Sequence, residues 1–134
     1  MVLVVLLVLA LFVIQTVLPT GLREAPAPGG PSKQSEALGP RDHVRPYTLA
    51  GQRAVRALAN MHEALPVFLA LALMNMIVAP QAVLAVTGGW IFLAARVAYV
   101  LVYIGGIPVV RTLLWVVGWV GLALMLSPLL DRIS

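Results

Sequence analysis

The chain has 134 residues, of which 61% are hydrophobic and only 10% are charged. A soluble domain is typically about half apolar and about a quarter charged, so this composition excludes an ordinary soluble domain. Several apolar stretches have about 20 residues, the length that a helix needs to cross a hydrocarbon core of roughly 30 Å. The composition therefore predicts an integral membrane protein in contact with lipid.

The chain contains no cysteine and has a net charge of +4. The absence of cysteine excludes disulfides, thiolate metal sites and a thiol nucleophile supplied by the protein. Any sulfur chemistry must then use a thiol that a substrate brings. Most of the positive charge lies in one segment, which is a topology signal rather than a nucleic-acid surface. We therefore predict neither a metal site nor a nucleic-acid partner.

Residues 2–18 are almost wholly apolar, which predicts a first spanning helix that is stopped by Pro19 and Gly21. This length is near the lower limit of ~17 residues for a span. A cleaved signal peptide is the alternative interpretation. No Lys or Arg precedes the apolar run, and residues 25–27 only weakly resemble a cleavage site, so a spanning helix is favoured.

Residues 19–48 contain six of the ten prolines and predict a polar surface loop, irregular between Pro26 and Pro31. Six of the nine Lys and Arg residues lie between Arg23 and Arg56. The positive-inside rule therefore places this loop in the cytoplasm and both termini on the opposite side.

The remaining sequence predicts three more spanning helices, over residues 49–79, 81–104 and 109–130. The second and third helices are joined by so few residues that they should be antiparallel neighbours. The predicted fold is an all-α membrane protein, a four-transmembrane-helix bundle that forms a single domain over residues 1–134. The turn at residues 105–108 should lie on the same side of the membrane as the long loop.

Glu63 and Arg96 place charge deep inside predicted spans, each flanked by apolar sequence, where a charge costs at least ~2.5 kcal/mol at the helix centre. At a rise of 1.5 Å per residue, Glu63 lies about 15 Å beyond Arg53. Arg96 lies about 12 Å from Ile104 at the end of the third helix. Since the two charges are at similar depth on neighbouring helices, we predict an ion pair between them.

Polar side chains recur at helical spacing on the second and third helices. They are separated by three, four and three residues on the second helix, and by three and four on the third, so each set lies on one face. The set comprises Arg53, Arg56, Asn60 and Glu63 on the second helix, Arg96, Tyr99 and Tyr103 on the third, and Arg111 at the start of the fourth. We expect these residues to converge on one polar cavity in the loop-side half of the membrane, suited to an anionic, amide-rich ligand.

Each of these residues also has a purely structural interpretation. A buried Glu–Arg pair can serve only to fix helix register. Arg53 and Arg56 are also typical interfacial anchors, and Tyr99 and Tyr103 are typical of an aromatic belt. The joint pattern, rather than any single member, favours a binding site.

The second helix resembles a family signature. Residues 53–66 match the pattern R-x2-R-x3-N-x2-E-x2-P of the MAPEG family, the membrane-associated proteins in eicosanoid and glutathione metabolism. Arg96 with its two following tyrosines is similar to the arginine and paired aromatic positions of that family. Residues 38–42 resemble bacterial members, which implies a bacterial inner membrane. The resemblance covers essentially the whole chain, although Ala64 stands where some members have an aromatic residue.

The resemblance implies a four-helix protomer that assembles as a homotrimer, with glutathione as co-substrate bound between protomers in the loop-side half. It implies that Arg111 stabilises the glutathione thiolate and that Thr112 stands where some members carry a serine hydroxyl. A lipophilic electrophile would reach the sulfur from the membrane. The glutathione-binding residues implied in this way are Arg56, Asn60, Glu63, Arg96, Tyr99 and Tyr103, and the helical spacing adds Arg53.

The activity expected from these features is a glutathione-dependent transferase or peroxidase acting on a hydrophobic electrophile or a lipid hydroperoxide. One alternative is a non-enzymatic membrane binding or scaffold protein with the same fold. Another is a small four-helix transporter that uses a membrane carboxylate. Such a transporter needs a glutamate without a tight basic partner, so an ion pair between Glu63 and Arg96 would argue against it.

Overall fold

The computed structural model describes residues 1–26, 28, 30, 32–39 and 44–132. The described part of the chain forms five α-helices. These are α1 (Val2–Gly21), α2 (Lys33–Leu38), α3 (Leu49–Val78), α4 (Val83–Gly105) and α5 (Pro108–Leu130). All except α2 are long and apolar enough to cross a membrane, so the described residues form an all-helical fold with four candidate spans.

Helix α1 extends further than the sequence predicted. It continues through Pro19 to Gly21, where Leu22 donates its backbone N–H to the carbonyl of Pro19 at 3.0 Å. The prediction of an end at Leu18 was wrong because the fixed φ of proline, near −65°, is itself helical. Proline in the last turn removes one hydrogen bond without ending the helix.

The long loop contains the short helix α2, which was not predicted from the sequence. The hydroxyl of Ser32 caps this helix by accepting a hydrogen bond from the backbone N–H of Ser35 at 3.1 Å. Pro26 and residues 28 and 30 are not helical, in agreement with the prediction for that stretch. Pro31, Arg41 and Asp42 lie outside the described residues, as do Ile133 and Ser134.

The two ends of the long loop are joined to each other at its base. Arg23 and Tyr47 form an isolated antiparallel β-bridge. Arg23 also donates from Nη2 to the Tyr47 hydroxyl at 2.8 Å and lies 4.1 Å from the centroid of that ring. Thr48 donates from its backbone N–H and from its hydroxyl to the carbonyl of Leu22, at 3.1 and 2.8 Å. The start of α3 is thereby held against the end of α1.

Helices α3 and α4 form the centre of the bundle. Each packs against the other three spanning helices, whereas α1 and α5 do not touch each other within the described ranges. The rings of Phe68 and Phe92 stack between α3 and α4 with centroids 4.8 Å apart. The end of α1, the base of the long loop and the α4–α5 turn lie at one end of the bundle, which we call the loop end.

Helices α4 and α5 cross in backbone contact at two glycines. A Cβ atom at Gly121 would lie 2.7 Å from the carbonyl oxygen of Gly88 and 2.8 Å from the backbone nitrogen of Phe92. A Cβ atom at Gly88 would collide with the carbonyl oxygen of Gly121. In membranes, helices associate through such close van der Waals contacts between small residues.

The half of the bundle away from the loop end is held by an amide. Asn75 is only 1% exposed and donates from Nδ2 to the carbonyl of Met125 on α5 at 2.7 Å. The hydroxyl of Ser127 donates to the carbonyl of Leu124 at 3.1 Å. That carbonyl would otherwise lose its helical partner, because Pro128 has no N–H.

Gly88→Ala should lower the free energy of unfolding in detergent by about 1–3 kcal/mol, the usual cost of overpacking a tight contact. Gly21→Ala is the matched control, since a Cβ atom there meets no atom within 4 Å. Denaturant titration of the two variants measures the difference. Equal stability of both variants would contradict the backbone contact between α4 and α5.

Candidate functional site

Arg96 is buried between α3, α4 and α5, with only 2% of its surface exposed. Its Nη1 donates to Oδ1 of Asn60 at 2.6 Å. Its Cζ lies 5.0 Å from the ring centroid of Phe92 and 5.7 Å from that of Tyr99. Aromatic faces attract cations electrostatically, so these rings together with the amide replace part of the water that the guanidinium has lost.

The third helix in contact with Arg96 is α5, which leaves space for it at a glycine. A Cβ atom at Gly118 would lie 3.4 Å from Nη2 and 3.5 Å from Cζ of Arg96. The Nε and Nη2 atoms of Arg96 have no hydrogen-bond partner among the described residues. The guanidinium therefore has unused donors beside its bond to Asn60.

Glu63 is not the partner of Arg96. Its side chain is exposed on the outer surface of the protomer, and the two residues, both within the described ranges, form no direct ion pair. Residues three positions apart on a helix differ by about 60° around its axis. Asn60, one turn earlier, faces α4 and bonds Arg96, whereas the side chain of Glu63 is exposed, so the predicted ion pair was wrong for the protomer.

Two clefts at the loop end share a wall made of Tyr103 and Arg111. The guanidinium Cζ of Arg111 lies 4.9 Å from the ring centroid of Tyr103, and Tyr99 meets Tyr103 edge to face at 5.4 Å. The outer cleft, of about 190 Å³, is lined by Arg53, Arg56, Tyr103, Gly106, Ile107, Pro108 and Arg111. The inner cleft, of about 290 Å³, is lined by Asn60, Tyr99, Tyr103, Arg111, Thr112 and Trp115.

Most of the residues predicted for a site line these clefts, but they do so in two spaces rather than one. Arg96 lies behind Asn60, and Glu63 lies on the outer surface of α3. Thr112 donates its hydroxyl to the carbonyl of Pro108 at 3.2 Å. The predicted residues that line a cleft are Arg53, Arg56, Asn60, Tyr99, Tyr103, Arg111 and Thr112.

Trp115 and the residues of the α4–α5 turn also line the clefts and were not among the residues predicted for the site. Trp115 follows Arg111 by four residues, which places both on one helical face. That spacing was the signal available in the sequence. Gly106 was harder to identify from the sequence, because its left-handed φ of 79° is known only from the folded turn.

The chemistry of the outer cleft is that of an anion site. Three guanidinium groups, from Arg53, Arg56 and Arg111, line it. Guanidinium groups bind carboxylates through paired hydrogen bonds and stabilise nearby negative charge. The inner cleft combines two phenol rings, an amide, a hydroxyl and an indole, so it can hold both polar and apolar groups.

Comparison with known proteins identifies a family for this chain. Residues 1–130 match the family model described as the MAPEG family. The matched range contains all four spanning helices and both clefts. Comparison with curated proteins and with solved structures found no match.

Asn60→Leu should lower the free energy of unfolding by about 1.5–3 kcal/mol, because it removes a hydrogen bond to a buried charged group. Glu63→Gln should cost less, since Glu63 makes no ion pair with Arg96. Combining Asn60→Leu with Arg96→Met should recover part of the loss, because no buried cation is then left without an acceptor. Denaturant titration in detergent tests this, and strictly additive losses in the double variant would contradict the Asn60–Arg96 bond.

Proposed function

The chain belongs to the MAPEG family, and on this premise we propose that it is a membrane-bound glutathione-dependent transferase or peroxidase. Its second substrate would be a hydrophobic electrophile or a lipid hydroperoxide. Members of the family are membrane proteins of glutathione or eicosanoid metabolism. The observation that carries the proposal is the arginine-lined outer cleft that shares Arg111 with the inner cleft.

In the proposed complex, the outer cleft holds the charged end of glutathione. Arg56 is exposed at this cleft, and its guanidinium suits a carboxylate of the tripeptide. Asn60 and Tyr99 at the inner cleft offer hydrogen bonds to amide groups. Arg111 lines both clefts, so a single extended or bent tripeptide lying beside it can contact both.

Arg111 is the proposed catalytic residue. A guanidinium close to the sulfur lowers the pKa of a thiol, because it favours the thiolate electrostatically. The thiolate is the nucleophile in either reaction. Thr112 follows Arg111 on the first turn of α5, and its hydroxyl is the second proposed polar group near the sulfur.

The chemical step follows from the nature of the second substrate. In transfer, the thiolate sulfur forms a bond to an electrophilic carbon, and the departing group or opened ring oxygen takes the electron pair and then a proton. In peroxide reduction, the thiolate sulfur attacks the terminal peroxide oxygen, the O–O bond breaks, and the departing alkoxide takes a proton to leave as the alcohol. The sulfur of a second glutathione then attacks the resulting glutathione sulfenic acid, forming the disulfide while the hydroxyl leaves with a proton as water. Trp115, which lies on the inner cleft, is a suitable apolar neighbour for a lipophilic substrate.

We also propose that the protomers assemble as a homotrimer. Glu63 and His62 are exposed on α3 within the span. A carboxylate facing lipid costs at least ~2.5 kcal/mol at the membrane centre. A neighbouring copy that covers this face would remove that cost and would complete the proposed glutathione site with Glu63.

A cytoplasmic loop end in a bacterial inner membrane fits the proposed reaction. Six of the nine Lys and Arg residues lie in or next to the long loop, the arrangement typical of a cytoplasmic segment. Thiols are kept reduced in the cytoplasm. Clefts at the loop end would therefore face the compartment that supplies glutathione.

One observation favours a different function. Glu63 lacks the ion pair with Arg96 that would have argued against a proton-coupled transporter. A carboxylate without a tight basic partner at membrane depth is typical of proton relays in transporters. Proton-coupled cation uptake into proteoliposomes, abolished by Glu63→Gln, would support that function in place of glutathione chemistry.

Titration of the purified protein with glutathione should produce the ultraviolet absorbance of a thiolate at neutral pH, and Arg111→Gln should abolish most of it. The physical reason is the loss of the positive charge next to the sulfur. Arg132→Gln is the matched control, because it removes the same charge at the opposite end of the bundle. No thiolate signal in the unaltered protein would contradict the proposed function.

Glutathione at about 100 times its dissociation constant should stabilise the folded protein by about 2.7 kcal/mol through mass action. Thermal unfolding in detergent measures this as a rise in Tm.

Native mass spectrometry of the folded protein with glutathione should give three copies of the chain with glutathione bound. A monomer that binds glutathione with the same affinity as the trimer would refute the proposed site between protomers.

A further inference from the structure

We infer that Arg53 is a positioning residue: it fixes the turn between α4 and α5 and thereby the place of Arg111. This inference rests on the proposed function, because Arg111 matters only if a thiolate is formed. It reassigns Arg53, which the spacing of polar residues on α3 had grouped with the glutathione-binding side chains.

The contact begins at the end of α4, where the last carbonyl groups have no partner within the helix. Ile107 donates its backbone N–H to the carbonyl of Val102 at 3.2 Å, and Gly106 donates to the carbonyl of Tyr103 at 3.1 Å, the two bonds of a Schellman turn. The carbonyl of Ile104 is satisfied from another helix. Arg53 donates to it from Nη1 at 3.1 Å.

Gly106 and the guanidinium of Arg53 occupy one space. A Cβ atom at Gly106 would lie 2.6 Å from both Cζ and Nη2 of Arg53, and it would collide with Nη1. The left-handed φ of 79° at Gly106 also favours glycine. In addition, a cation at the C-terminus of a helix is stabilised by the helix dipole. Arg53 and Gly106 together therefore form the C-terminal cap of α4.

The same cap determines where α5 begins. Ile107 follows Gly106 directly, and its carbonyl accepts the backbone N–H of Arg111 at 3.2 Å. Arg111 is therefore one turn into α5, and its Cζ lies 4.9 Å from the ring of Tyr103. We therefore expect a change at Arg53 or at Gly106 to displace this turn and Arg111 with it.

The two possible roles of Arg53 differ in what its loss would change. A glutathione-binding residue affects the dissociation constant, whereas a residue that positions Arg111 affects the thiolate. At close range, a displacement of about 2 Å between two charges lowers the thiolate fraction roughly tenfold in a medium of intermediate polarity. Arg56 lines the same cleft with an exposed side chain, so it remains suited to bind the ligand after Arg53 is lost.

The experiment compares Arg53→Gln, Gly106→Ala and the double variant, with Arg132→Gln as the charge control. Isothermal titration gives the dissociation constant of glutathione, and absorbance gives the thiolate fraction as a function of pH. We expect the dissociation constant to change by no more than about twofold while the thiolate fraction falls roughly tenfold at neutral pH. The double variant should be no worse than the stronger single variant, because both disturb one turn. Arg53→Lys, which keeps a charged donor, should restore part of the thiolate.

A dissociation constant that rises about tenfold in Arg53→Gln, with an unchanged thiolate fraction, would overturn the inference, because a residue that only binds the ligand behaves in that way. A second readout does not depend on glutathione. The chain has no cysteine, so a spin label on Val109→Cys, at an exposed position in the first turn of α5, reports the turn alone. We expect faster label motion in Arg53→Gln and in Gly106→Ala.

Unchanged label motion in both variants would overturn the role of Arg53 in the turn. An absence of thiolate in the unaltered protein would instead reject the proposed function. In that case faster label motion would still support the structural part of the inference, that Arg53 fixes the start of α5. The two failures are thus distinguished by separate measurements.

Discussion

A guanidinium buried in an apolar bundle needs polar or aromatic neighbours, and the packing of α3, α4 and α5 supplies them around Arg96. Asn60 on α3 accepts its hydrogen bond, the rings of Phe92 and Tyr99 on α4 face it, and Gly118 on α5 leaves room for it. Removing a partner from a buried charge is far more costly than never burying one. The depth and rotation of the three helices are therefore coupled through this single side chain.

The candidate site is continuous with that centre. Asn60 bonds Arg96 on one side and lines the inner cleft on the other, and Tyr99 likewise touches both. Arg111 sits at the outer edge of the same wall, on a turn that Arg53 closes. The clefts are consequently built on helix packing rather than on flexible loops, which is the arrangement that holds reacting groups in a fixed geometry.

Sequence alone predicted the features that depend on one helix at a time. Apolar length gave the four spans, and helical spacing gave the set of polar residues, most of which line the clefts. It failed where two helices decide the outcome. The depth of each residue in the membrane does not determine whether Asn60 or Glu63 faces Arg96, because that depends on the rotation of α3. The hydrogen bond from Arg53 to the carbonyl of Ile104 could not be predicted either, because it depends on how α3 lies against the end of α4.

The closed base of the long loop has a practical consequence. Because the bridge between Arg23 and Tyr47 and the bonds from Thr48 to Leu22 join the two ends, the chain between them leaves and re-enters the bundle at one point. The entropic cost of closing such a loop rises by only about 0.6 kcal/mol for each doubling of its length. A folded marker domain inserted there would therefore be attached to the bundle at a single point, where electron microscopy could use it as a landmark, and the sequences of the spanning helices would stay unchanged.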